Sequence, residues 1–308
     1  MTQTIGRGSV GYRYRMSRTE TTTGQWLEFY NTFAAQSAAF DTLLRPIGWA
    51  ARFDVTFSGP GVRFELSPAF PDAGRLAITG MSWRQAAMYA NWLHNGKSSD
   101  PASLETGAYD TSTFGFDAAT SRFTDNVTHL PGARYWIPSL DEWMKVAHWD
   151  PDRFGEGEGG WWQFGHSSDE PPAPGLPGEP GAQTSAGADF DLLDTPVVGA
   201  YPDALSPWGL LDVSGGAREG TSTWFEDDVG NLLVLEGVQA GGSFAGGNPD
   251  DLSFVSISGL SFRSAGLRIA SVVPAPGAVG MLTFISSWIG VRRQRRDRDE
   301  VRRVAGLW

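Results

Sequence analysis

The chain has 308 residues, 41% of them hydrophobic, with 13 Trp and 18 Phe, so it is long enough to bury one large core or two modest ones. A formal charge of −11 excludes the basic face that a nucleic-acid partner requires, and the absence of any Cys excludes disulfides, thiolate metal sites and cysteine nucleophiles. With 39 Gly and 19 Pro, turns and irregular loops pinned by aromatic anchors are expected to outweigh long helices.

Gly11 to Met16 alternates as Gly-Tyr-Arg-Tyr-Arg-Met and predicts an opening strand. Trp26, Phe29, Tyr30 and Phe33 then recur at helical spacing, with Thr23 as the expected N-cap. Residues 53–66 alternate again on either side of Ser58-Gly59-Pro60-Gly61, which predicts a hairpin. Ser82 opens a second helix whose Ala86, Ala87 and Ala90 allow close packing, and Gly96 ends it. Ser139 with Glu142 three residues later is a capping box for a third helix, 140–148.

Residues 151–187 form a Gly/Pro/Glu-rich insertion in which Trp161, Trp162 and Phe164 are the burial candidates, and its 171–182 stretch should be an extended, mobile loop. From 195 to 271 the pattern is short strands and turns. His94 and His148, near helix ends, are expected to act as partners of the helix dipole. The four His form no local metal-binding pair, and no nucleophile elbow, P-loop or dinucleotide fingerprint occurs. The resulting expectation is an α+β fold, two or three helices around a loop-dominated antiparallel sheet.

Six segments in order carry a family resemblance: 19–33, 78–97, 135–151, 195–220, 238–247 and 262–271. Together they resemble the formylglycine-generating enzyme (sulfatase-modifying factor) family over about residues 10–271. The resemblance implies a compact C-type-lectin-like fold and a first domain spanning 1–271. Active members bind copper through two thiolates placed after a Gly-Gly-Ser-aromatic turn. Here Gly241-Gly242-Ser243-Phe244 matches that turn, and the two ligand positions hold Gly246 and Asp251. One carboxylate and a glycine cannot replace two soft thiolates on Cu(I), so no copper and no formylglycine chemistry are expected.

The resemblance also implies a structural Ca²⁺ on Asp212, Gly215, Ala217 and Glu219, which match the family pattern position for position. The usual tryptophans flanking that glutamate are absent, and a tight turn with Glu219 paired to an arginine is the alternative. Asp189 and Asp191 correspond to part of a second family calcium site, with solvated loop residues as the alternative. In active relatives a groove receives a peptide; here loop 245–262 and Trp161-Trp162 would border it. Asn248, Asp250, Ser253 and Arg263 would then meet a peptide or glycan ligand. The competing expectation is an enzyme of the same superfamily using Asp251, Ser253 and Arg263.

After this domain, residues 272–296 carry Val273-Pro274-Ala275-Pro276, an apolar stretch (277–291) and a basic cluster, and 297–308 form a charged tail. The order of parts resembles the PEP-CTERM sorting signal, which implies exosortase-type sorting machinery, membrane attachment through 277–291 and a place in the cell envelope or outside the cell. The apolar stretch is shorter than the roughly 20 residues of a full span, and a buried terminal helix is the alternative. Residues 1–25 contain no apolar leader core, so export implies a leader upstream of Met1.

Overall fold

In the computed structural model, residues 8–120, 122–188, 196–223, 239–240 and 265–273 are described. They carry four α-helices: α1 Thr23–Ala34, α2 Ala39–Leu44, α3 Trp83–His94 and α4 Leu140–His148. The strands are short: β1 Tyr14–Met16, β2 Ala51–Phe53, β3 Phe64–Leu66, β4 Phe116–Asp117, β5 Arg122–Phe123, β6 Tyr135–Trp136, β7 Trp149–Asp150, β8 Gly160–Trp161, β9 Arg218–Gly220, β10 Gln239–Ala240, β11 Ala265–Leu267 and β12 Ala270–Val272. This is the loop-rich α+β architecture that the sequence predicts, with one helix more than expected. The additional helix, α2, is only six residues long, and its N-cap Ala38 makes no side-chain capping bond, so it leaves no sequence signal.

The long helices begin where side chains satisfy their free amides. The cap of α1 is Thr22, one residue before the expected Thr23: Thr22 Oγ1 accepts from Gln25 N, and Gln25 Oε1 accepts from Thr22 N. Ser82 with Gln85 and Ser139 with Glu142 form the same reciprocal box on α3 and α4. Trp26, Phe29, Tyr30 and Phe33 are buried on one face of α1. Aromatic rings join this face to α3: the Trp26 and Tyr89 rings stack at 5.2 Å, and Phe29 meets Trp92 at 5.3 Å. Asn91 Nδ2 donates to the carbonyls of Leu104 and Tyr109, while its Oδ1 accepts from Ala108 N and Tyr109 N, fastening the following loop to α3.

Two three-stranded sheets position the remaining chain. In the first, order β1-β12-β6, Met16 faces Ala270 and Ala270 faces Trp136, so the start and end of the described unit share one sheet. In the second, order β10-β9-β11, Glu219 lies between Ala240 and Gly266. The β9–β11 pairing is parallel, an exception to the expected antiparallel sheet. The predicted hairpin exists as β2 against β3, joined by a ten-residue loop, 54–63, in which Val55 is exposed.

Hydrogen bonds tie the 171–182 stretch of the insertion to its surroundings. Gly175 N donates to Thr184 O, and Tyr201 Oη donates to Gly175 O. Among the described residues no helix is long and apolar enough to cross a membrane. The 277–291 stretch and the sorting-signal residues beyond Val273 lie outside the described residues.

Candidate functional site

Glu219 sits on the central strand β9 with its side chain directed into the protein, where Arg268, just beyond β11, meets it. Arg268 Nε lies 2.9 Å from both Glu219 oxygens, and Nη2 lies 2.6 Å from Oε1. The guanidinium also donates to the carbonyls of Ser17 and Leu211, each at 2.9 Å, and Trp143 Nε1 donates to Glu219 Oε2. Both charged side chains are buried. Burial opposes the arginine's charge, and the Glu219 carboxylate overrides it, holding the guanidinium above its ordinary range.

A second acidic group stands behind this pair. Glu20, 2% exposed, precedes the α1 cap, and its Oε1 accepts from Ala217 N at 3.0 Å. Gly216 lets the carboxylate approach: a Cβ there would lie 2.4 Å from Glu20 Oε1. Asp212 adopts φ +60, and its Oδ2 accepts from Gly199 N at 2.6 Å. Glu20 and Asp212 line one cavity of about 20 Å³ together with Ser185, Val198, Tyr201 and Gly216. Side-chain hydrogen bonds join Glu20 to Asp212 and Ser185 to Tyr201. Burial, then the charges of Asp212 and Glu219, pushes the Glu20 carboxyl well above its usual range; burial raises Asp212 as well.

The four expected calcium positions are thus divided. Asp212 lines the cavity, but Glu219 is committed to Arg268 and Trp143, so the set as the sequence suggested it does not fit a calcium ion in this arrangement. Gly215 and Ala217 lie between them on the turn that enters β9, and a Cβ at Gly215 would lie 2.2 Å from Thr184 Oγ1. Asp189, Asp191, Gly246, Asn248, Asp250, Asp251, Ser253 and Arg263 lie outside the described residues.

Trp161 and Trp162 lie on and beside the β7–β8 hairpin. The Trp161 ring packs edge-on against Trp149 at 5.2 Å, and Trp162 Nε1 donates to Asp150 Oδ2 at 3.1 Å while Arg153 covers its face at 4.1 Å. His148 is fully buried, and that burial lowers its pKa to about 4, so it is neutral near pH 7 and not the charged dipole partner expected. Its Nδ1 lies 3.2 Å from Trp162 O, which assigns the ring proton to Nδ1.

The groove on this side is lined by residues that sequence reasoning placed on the opening strand and the third helix, together with Trp208. Tyr12, Arg13, Tyr14, Arg15, Lys145 and Trp208 border a volume of about 360 Å³. Tyr12 and Trp208 are 53% and 51% exposed. Tyr12 Oη donates to Glu142 Oε1, Tyr14 Oη to Glu142 O, and Trp208 Nε1 to Trp149 O. The capping glutamate of α4 therefore also fixes one wall of the groove. Burial, then Glu142, raises both phenols above their ordinary pKa, keeping them neutral. In an extended segment the alternation of Tyr and Arg along residues 12–15 puts the two kinds of side chain on opposite faces, with the Tyr12 and Tyr14 rings 5.9 Å apart, so it gave no signal of a shared groove.

The domain model for the Sulfatase-modifying factor enzyme 1-like domain matches residues 9–265. The chain belongs to this family. The family match covers all four helices and the strands from β1 to β10, and ends at the first residue of β11. The chain is also similar to the crystal structure of CarF, at 17% identity over 85% of this chain and 87% of that one, with a TM-score of 0.47. A second solved structure, Treponema denticola variable protein 1, is 16% identical over 84% of each chain, with a TM-score of 0.48. No curated protein matches the sequence.

Proposed function

We propose that this family member is a non-catalytic recognition protein, associated with the cell envelope, that binds an anionic glycan or peptide in the groove between β1 and α4. The observation that carries this reading is the groove's lining, in which the cationic residues Arg13, Arg15 and Lys145 stand with Tyr12, Tyr14 and Trp208 in a chain of net charge −11. Flat aromatic faces stack on sugar rings or apolar side chains, and Arg and Lys donate to carboxylate or sulfate groups. Among the described residues no acidic side chain lines this volume. The absence of cysteine throughout the chain supports recognition over copper-dependent oxidation, because Cu(I) requires soft ligands. The sorting-signal-like C-terminal sequence supports placement at the envelope.

Calorimetry with uronate-containing or sulfated oligosaccharides, and with acidic peptides, tests the reading. Binding should weaken with added salt and fall roughly tenfold or more in Arg15→Ala and in Trp208→Ala. Equal binding of neutral and anionic ligands, or no binding of either class, overturns it. Formylglycine production on a sulfatase peptide with copper and oxygen would overturn the non-catalytic part.

A further inference from the structure

Successive residues, from Tyr12 to Arg15, all border the same groove. In an extended segment neighbouring side chains leave on opposite faces, so a volume that all of them share lies along the segment's edge. The register shows which main-chain groups point to that edge. Ser17 N donates to Ile269 O, which makes these two a hydrogen-bonded pair of the β1–β12 ladder, and Arg15 with Ser271 the next. Val272 N donates instead to Arg134 O, just before β6. Its partner Tyr14 therefore turns its amide and carbonyl away from β12, as Met16 does two residues on. In the order β1-β12-β6, β1 is an edge strand. The next outward carbonyl, that of Arg18, accepts from Leu211 N, so this edge already pairs with a passing segment at its far end. Among the described residues no hydrogen bond reaches the outward groups of Tyr14 or Met16.

We infer that an acidic peptide in extended conformation binds this groove as an added strand, exchanging main-chain hydrogen bonds with Tyr14 at the edge of β1. The inference rests on the groove being the recognition site and selects the peptide over the glycan. An extended peptide presents N–H and C=O groups toward one side at every second residue, about 6.8 Å apart, and a sugar chain has no such series. Side chains add the choice of sequence. Arg13 and Arg15 leave on one face, whereas the Tyr14 phenol turns to α4, where it donates to Glu142 O. Met16 and Val146 both pack on the apolar cluster of Leu140, Trp143 and Met144 on that side. An added strand continues both faces, so its alternate residues meet the two guanidiniums and those between meet Tyr14 and Val146. Acidic and apolar residues in alternation fit that lining. The same arginines disfavour a second copy of β1, which would set like charges opposite one another.

The test uses the full chain and synthetic peptides in which Asp and Val alternate: a parent, and two forms N-methylated at one or the other alternate set of amides. All changes are made in the ligand, so no variant has to fold. Calorimetry should show the parent binding, one methylated form close to it, and the other weaker by roughly tenfold or more, because that form has lost the N–H groups that face β1. Hydrogen exchange at the Tyr14 amide should slow when the parent binds. Equal affinities of the two methylated forms, or unchanged exchange at Tyr14 in the saturated complex, overturn the strand addition; the peptide is then held by its side chains, and the anionic recognition proposed above stands. Binding of a sulfated oligosaccharide but not of the parent peptide overturns the strand addition and again leaves that recognition standing. If neither anionic ligand binds, the groove is not the recognition site and both fall.

Discussion

Around α1 and α3 the buried side chains are mostly apolar, among them Trp26, Phe29, Tyr30, Phe33, Trp83 and Trp92, whereas around β9 they include Glu219, Arg268, Glu20, Thr184 and Ser185. The first region is held by ring contacts between residues close in sequence or on two facing helices. The second is held by directed hydrogen bonds between segments far apart, such as Glu20 with Ala217 and Ser17 with Arg268. Apolar packing is tolerant of local adjustment, because many small contacts share the energy. A buried polar junction concentrates its energy in a few groups, each of which is costly when orphaned.

The largest expected effect follows from that concentration. Arg268→Met leaves Glu219 buried with Trp143 Nε1 as its remaining side-chain donor and should cost about 3–5 kcal/mol in urea denaturation. Pairing it with Glu219→Leu should recover much of the loss, since the orphaned charge is removed as well. If the double variant is no more stable than the single one, the junction is held by packing and the contrast between the two regions disappears.

The same contrast decides how much could be read from the sequence. The helical region announced itself: apolar spacing placed α1, α3 and α4, Ser82 marked the start of α3, and Ser139 followed three residues later by Glu142 marked the start of α4. The offset at α1 arose because Thr21, Thr22 and Thr23 all qualify as caps, and only Gln25, at the right distance from Thr22, discriminates. The polar junction was half legible. Asp212 and Glu219 stood out on a glycine-rich turn, and pairing of Glu219 with an arginine was the stated alternative, but nothing local identifies that arginine as Arg268 or reveals that Glu20 takes the position beside Asp212. Ser185 was hidden in a stretch of small residues whose burial depends on the 196–201 and 212–216 turns closing over it. The aromatic groove was missed for the opposite reason: Tyr14 and Arg15 read correctly as strand and Lys145 as helix, Tyr12 and Arg13 precede β1 although a strand was expected there, and the convergence of all five with Trp208 is a tertiary event.

A second prediction sharpens the comparison through pH. His148 is buried and neutral, with its pKa lowered from 6.5 to about 4. The folded state therefore binds fewer protons than the unfolded state between those values. Its contribution is fully present above about pH 6.5 and is lost as pH falls toward 4, to a total of about 3 kcal/mol. Denaturation of the parent and of His148→Gln at several pH values across this window should show the shallower slope in the variant. Parallel slopes would mean that other groups, not this ring, govern the acid side.

The smallest effect separates a local device from a tertiary one. Thr22→Ala and Ser82→Ala each remove a cap whose partner, Gln25 or Gln85, does no comparable work in a groove, and each should cost about 1 kcal/mol. Ser139→Ala removes an equivalent cap, but its partner Glu142 also accepts from Trp136 Nε1 and from Tyr12 Oη. Loss of the serine frees one constraint on that carboxylate while leaving the others, so the stability cost should again be about 1 kcal/mol. The difference should appear in ligand affinity: only Ser139→Ala acts on a group that fixes the Tyr12 wall, so calorimetry with an anionic ligand should separate it from the other two. Equal affinities in all three variants would make Glu142 a helix cap and nothing more, and would detach the groove's geometry from α4.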